Sequence, residues 1–254
     1  MAGNKKIKTV ETLEELLMQD LAWRKKEMFS LKILVEKDEI NEPILLRAGI
    51  ALLCAHFEGF IKRASNYYIG YVAEQKKPYS ELKKNFAALK MKKEFKSCSL
   101  SEKHSVHKRL LMTYDALATR TFKEKYDENN PFISTHSNPS SKELKEILET
   151  IGVDSDIFET KATYIDSSLL EKRHHVVHGD RSELDKSDFF TTFKIIIELI
   201  EAYKDLIIDA ADKKEYLKGG RKWRTIVKYR LRPNMSMNCW TVLVIQIICT
   251  TNQY

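Results

Sequence analysis

Residues 171–180, EKRHHVVHGD, gather three histidines and an arginine within six positions of a chain that has seven histidines among 254 residues. Imidazole is the side chain that most readily exchanges a proton near neutral pH, and guanidinium is a permanent, forked cation suited to phosphoryl oxygens. Three chemistries fit. In the first, Arg173 and His178 act on a phosphodiester: the histidine accepts the proton of a ribose 2′-hydroxyl or protonates the leaving 5′-oxygen, and the arginine holds the charge that builds on phosphorus. Five positions on a helix separate the two by about 7.5 Å of rise and about 140° of rotation, so they meet only at a helix end or across a dimer axis. In the second, His174 and His178 lie one helical turn apart and ligate zinc, with Asp180 or His104 and His107 as further ligands. The glutamate of an HExxH site is absent, because His175, Val176 and Val177 stand between the two histidines. In the third, the histidines are structural groups near the negative end of a helix dipole.

The elements that must position these residues are helices. Leu13, Leu16, Leu17, Leu21, Met28 and Leu31 recur at three- and four-residue intervals, so an amphipathic helix starts at about Thr12, with Thr12 and Glu15 as a capping box. Pro43 suits the first turn of a second helix through Gln75, apolar on most sides and therefore central. Pro78 restarts a third, more polar helix through about Phe95, and another is expected within residues 101–122. The Asn-, Pro- and Ser-rich stretch 126–141 reads as a loop. Ser140 with Glu143 opens the next helix and Gly152 closes it; Ser168 with Glu171 opens a short one ending near Gly179. From about Asp185 a long helix carries Phe189, Phe193, Ile196, Ile200, Tyr203 and Ile207 inward and runs to Tyr216. The class is all-α, with a helical domain at 1–217 and a basic, then apolar, tail at 218–254.

Composition narrows the setting. Eight glycines and five prolines with 43% hydrophobic residues suit a folded helical chain. The four cysteines form no CxxC pair, and Cys54 sits in an apolar run as a small hydrophobe. No secretory leader is visible, and no window is expected to reach the roughly 20 apolar residues that span a bilayer. A soluble, reducing, cytoplasmic location follows as an expectation. The net charge of +7 equals the seven lysines and arginines at 218–232, where no acid occurs. Arg221, Lys222 and Arg224 are therefore candidate RNA contacts, although a solvated extension has the same charge.

Two stretches carry a family resemblance. LLEKRHHVVHGD resembles the RxxxxH motif of the HEPN superfamily, and WRKKEM followed by LLRAGIALLCAHFEGFIKRASNYYIGYV is similar to the first helices of its MAE-type nuclease branch. The resemblance covers about residues 12–216. It implies an antiparallel helical bundle that forms a homodimer with a composite site, and metal-independent endoribonuclease activity that needs no cofactor. It also implies RNA as substrate, and the company of an antitoxin or phage-defence partner. Residue by residue, Arg173 and His178 match the family arginine and histidine, and Gly179 matches the glycine that turns the chain. His174 stands where the family often has asparagine; it still donates a hydrogen bond and adds a titratable group.

The upstream AHFEGFIK adds Glu58 and His56 as candidates for lining the same site. Each is costly in an apolar helix without a partner, and the Arg173 helix would supply one. Glu58 and Lys62, one turn apart, equally suit an ordinary ion pair, and Gly59 suits close helix packing. A non-catalytic module that binds RNA or a partner protein, and a His-ligated zinc hydrolase, are the alternatives to the ribonuclease.

Overall fold

The structure, a computed structural model, describes residues 6–124, 131–133, 140–154, 156–159, 161–166, 171–177 and 184–219. Ser168, His178, Gly179, Asp180 and the tail residues Arg221, Lys222 and Arg224 lie outside them. Among the described residues the regular structure is helical, with two isolated β-bridges, Pro78 to Thr121 and Leu82 to Leu217. The helices are α1 (Val10–Lys37), α2 (Glu42–Glu74), α3 (Lys84–Lys90), α4 (Lys92–Ser99), α5 (His104–Leu117), α6 (Ser141–Ile151), α7 (Asp156–Glu159), α8 (Ala162–Tyr164), α9 (Glu171–Val177) and α10 (Lys186–Asp212).

Helix α2 is the centre of the bundle. It packs against α10, α1, α9 and α6, and Ile50, Leu53, Phe57, Phe60 and Tyr68 are fully buried along it. Its length and composition do reach those of a membrane span, contrary to the sequence expectation, with a mean hydropathy of 1.7 over its most apolar window. Half of that window is buried inside the bundle, so its apolarity has a role in the protein core. Two close approaches set the spacing. At Gly49 a Cβ would stand 2.6 Å from the Phe189 ring of α10, and at Gly59 one would stand 2.8 Å from the Arg24 guanidinium of α1. Deep in the α2–α10 seam the Ser65 and Tyr203 hydroxyls share a 2.6 Å hydrogen bond, which satisfies two buried polar groups at once.

Several helix ends follow the sequence. Ser140 Oγ accepts from the Glu143 amide at 3.1 Å, and Gly152, at φ 75°, takes the left-handed position that ends α6. Asp185 caps α10, its carboxylate accepting from the Asp188 amide at 2.7 Å. Pro43 lies in the first turn of α2.

Other ends move. Helix α1 starts before the expected point, because the Thr9 hydroxyl, not that of Thr12, is the cap and accepts from the Thr12 amide at 3.2 Å. Helix α10 stops at Asp212, not Tyr216: Lys214 adopts φ 53° and the chain reverses, with the Glu215 amide returning to the Ala210 carbonyl at 2.9 Å. The largest correction concerns the third helix. Residues 77–83 form a turn flanked by bridges at Pro78 and Leu82 and are pinned on both sides: Tyr79 N–H donates to Arg120 O at 3.0 Å, Phe122 N–H to Lys77 O at 2.9 Å, and Lys83 N–H to Tyr216 O at 2.9 Å. Those main-chain groups are spent on neighbouring segments, so helix begins only at Lys84, and it breaks again at the buried Met91. The next helix is confined to His104–Leu117 within the expected 101–122.

Candidate functional site

Helix α9 carries the arginine–histidine motif and ends at Val177, one residue before His178. It packs along α2, the Lys172 ammonium pairs with the Asp188 carboxylate in the first turn of α10, and Arg47 Nη2 donates to the Val176 carbonyl at 3.4 Å. The last carbonyls of a helix have no partner within it, and a cation there also meets the negative end of the dipole. Arg47 therefore orients the end of the helix from which His178 follows. Its signal was in the sequence, as the arginine of LLRAGIALL, but a lone arginine on an apolar helix announces no partner.

Arg173 is half-buried on α9, His174 is exposed and His175 half-buried, the two imidazoles meeting edge to face at 6.2 Å. Across from α9 lie Cys54 and, one turn further along α2, Glu58. The Cys54 thiol is fully buried, and burial pushes its pKa up to about 12; the Arg173 guanidinium opposes that rise and the Glu58 carboxylate adds to it. One buried atom thus feels both charges, on a helix, α2, that packs against α9. A thiol held so far up is no nucleophile at neutral pH.

His56 does something else. Two positions from Glu58, it points to the opposite side of α2 and enters a closed network with α1. Arg24 Nη1 lies 3.5 Å from His56 Nδ1 and donates to the His56 carbonyl at 3.3 Å. Since a guanidinium only donates, Nδ1 is the unprotonated nitrogen. His56 Nε2 stands 2.9 Å from the Glu27 carboxylate, a close contact off the line of a full hydrogen bond. Arg24 Nε in turn donates to Asp20 Oδ2 at 2.7 Å, while Trp23 Nε1 at 3.0 Å and Arg63 Nη1 at 3.3 Å reach Asp20 Oδ1. Burial first, and the Arg24 charge second, hold the His56 pKa below its ordinary 6.5, against the pull of Glu27 and Asp20. The residues of WRKKEM and AHFEGF, distant in sequence, are thus partners in one polar core, with Gly59 leaving room for the guanidinium.

Of the sequence candidates, then, Arg173 and Glu58 both act on the Cys54 thiol, and His56 is engaged with α1. Among the described residues no group of three His, Cys, Asp or Glu side chains is gathered as a metal site.

The model of the RiboL-PSP-HEPN family matches residues 19–209, a span that runs from within α1 through nearly all of α10. The chain belongs to this HEPN family, and its all-helical bundle agrees with that membership. No curated protein and no solved structure matched the chain.

Proposed function

We propose that this chain is a metal-independent endoribonuclease of the RxxxxH type, active as a homodimer. His178 removes the proton of a ribose 2′-hydroxyl; the 2′-oxygen attacks phosphorus as the bond to the 5′-oxygen breaks, and the second histidine of the dimer protonates that oxygen. The products are a 2′,3′-cyclic phosphate and a 5′-hydroxyl. Arg173 forks onto the non-bridging oxygens as charge builds, His174 assists as a donor, and Glu58 holds the arginine in register. The observation that carries this reading is Arg173 itself, half-buried on a short helix whose end Arg47 orients, in a chain of a HEPN family. Membership of the MAE-type branch, a cytoplasmic toxin or phage-defence role and a cognate antitoxin are extensions of the same proposal.

A second reading is favoured by the exposed His174 in place of the usual asparagine: a HEPN module that binds RNA or a protein without cutting. The experiment that separates the two incubates purified protein with RNA and EDTA, beside Arg173→Ala and His178→Ala, and maps the ends. New 5′-hydroxyl ends from the wild type alone support the ribonuclease. RNA retained intact supports the module, cleavage that persists in either variant removes the mechanism, and cleavage that EDTA abolishes points to zinc.

A further inference from the structure

Residues 1–217 carry no net charge, since the excess resides in the tail, but the neutrality conceals a strong local imbalance. From Lys90 to Arg109 the chain has seven lysines and arginines against two acids, Glu94 and Glu102. These residues build the α4–α5 hairpin. Helix α4 buries no residue, and α5 buries only Leu117.

What distinguishes this hairpin from the rest of the bundle is the density of its unanswered cations. Elsewhere several lysines are answered by acids, Lys32 by Glu36, Lys77 by Glu81, Lys145 by Glu159, Lys186 by Glu42 and Lys213 by Asp209, and exposed lysines without an ion pair among the described residues, such as Lys26, Lys142 and Lys194, are scattered over separate helices. On the hairpin Lys90 reaches Glu124, but Lys92, Lys93, Lys96, Lys103, Lys108 and Arg109 are exposed and have no ion pair among the described residues. On α4, Lys92, Lys93 and Lys96 fall within about 100° of arc and so form one face. Apolar side chains stand out beside them: Leu100 is 79% exposed, Leu111 65% and Met112 61%, with the Phe95 and Tyr114 rings also open to solvent.

We infer that the α4–α5 hairpin is an RNA-binding arm, which holds the phosphate backbone of the substrate with these six cations and stacks bases on Phe95 and Tyr114. The inference rests on the proposal that the substrate is RNA. Single-stranded nucleic acid is held by a cationic track with aromatic platforms beside it, and that combination is what the hairpin displays. A membrane surface fits less well. An interfacial helix needs a broad apolar face, whereas Leu110 and Leu117 of α5 pack on the core and Leu111 and Met112 alternate with His104, Lys108 and Asp115.

The test is equilibrium binding of a labelled 2′-O-methyl RNA oligonucleotide, which cannot be cut by 2′-hydroxyl attack, to the full chain over a range of salt. Two hairpin variants, Lys92→Gln/Lys93→Gln/Lys96→Gln and Lys103→Gln/Lys108→Gln/Arg109→Gln, are compared with Lys32→Gln/Lys145→Gln/Lys213→Gln, which removes the same charge from ion-paired positions. Thermal melts verify that each is folded. Each hairpin variant is expected to weaken binding at least about tenfold at low salt and to flatten the plot of log affinity against log salt by roughly 2, at about 0.7 for each phosphate no longer neutralised. The control should change affinity less than about threefold. Hairpin variants that behave like the control overturn the inference, as does unchanged RNA affinity with lost binding to phosphatidylserine vesicles. Retained RNA binding by a wild type that leaves RNA uncut defeats the ribonuclease proposal alone; cleavage with hairpin-independent binding defeats the arm alone.

Discussion

The two sides of α2 handle charge in opposite ways. Toward α1, Asp20, Arg24 and His56 are buried and answer one another, with Trp23, Arg63 and Glu27 closing the circuit. Toward α9, Arg173 and Glu58 are half-buried around a buried thiol, and the imidazole of His174 is open to solvent. A closed network holds two helices in one register. On the α9 side the cation is half-buried beside an open imidazole, which is the arrangement the ribonuclease proposal needs. His56 and Glu58, alike in the sequence as polar residues of one apolar helix, are separated by this difference: one is tied to the α1 scaffold, and the other is proposed to line the site.

The contrast can be broken in four places. The largest effect is expected from Arg173→Ala or His178→Ala, which should lower RNA cleavage by about 10²-fold or more and leave the thermal midpoint in place. A cleavage assay and a melt on the same preparation decide it, and an Arg173→Ala protein that unfolds instead would make the α9 side structural too. Arg24→Ala should do the reverse. It leaves Oδ2 of the buried Asp20 without its guanidinium partner, Trp23 and Arg63 reaching only Oδ1, and is expected to cost about 3 kcal/mol in urea unfolding, with cleavage per folded molecule retained.

Glu58→Gln is the intermediate case. Cleavage should drop about tenfold, the equivalent of roughly 1.4 kcal/mol in the barrier, for a stability change under about 0.5 kcal/mol. If both stay unchanged, Glu58 has no part in the site. The smallest effect concerns His56. Its folded-state pKa is depressed, so the unfolded chain takes up the proton first, and the stabilisation is complete above 6.5 and fades as pH falls toward the folded value. Urea melts between about pH 7 and about pH 5 should show a decline that His56→Gln flattens; an unaltered slope would mean that other groups produce it.

Much of the bundle was legible because its signals are local. The periodicity of α1, α2 and α10, the Pro43 start, the Ser140 cap and the Gly152 stop depend on neighbours within one or two turns. The limits of the third helix are not legible because they are set elsewhere: residues 77–83 spend their main-chain groups on 118–122 and 216–218, partners that no local pattern announces. At the site, the motif gave Arg173, and the apolar context of Glu58 and His56 marked both as needing partners. Which partner each finds is a matter of helix rotation and tertiary packing. The roles of Arg47 and Arg24 are illegible for the same reason, since a cation on a helix looks solvated until the carbonyl or carboxylate it meets is known.

Asn66 holds a further consequence. Buried on α2, it accepts from the amides of Phe132 at 2.8 Å and Ile133 at 3.2 Å, and donates to the carbonyls of Ile133 at 3.1 Å and Lys62 at 2.7 Å. One amide side chain, with all four of its valences spent, clips the long connection between α5 and α6 to the scaffold part-way along. The connection is thereby anchored at two places, at 118–122 against 77–80 and at 132–133 on Asn66, so that these anchors divide it in evolutionary terms. A single insertion between Phe132 and Ile133 would unfasten the clip, since one Asn66 side chain bonds both residues.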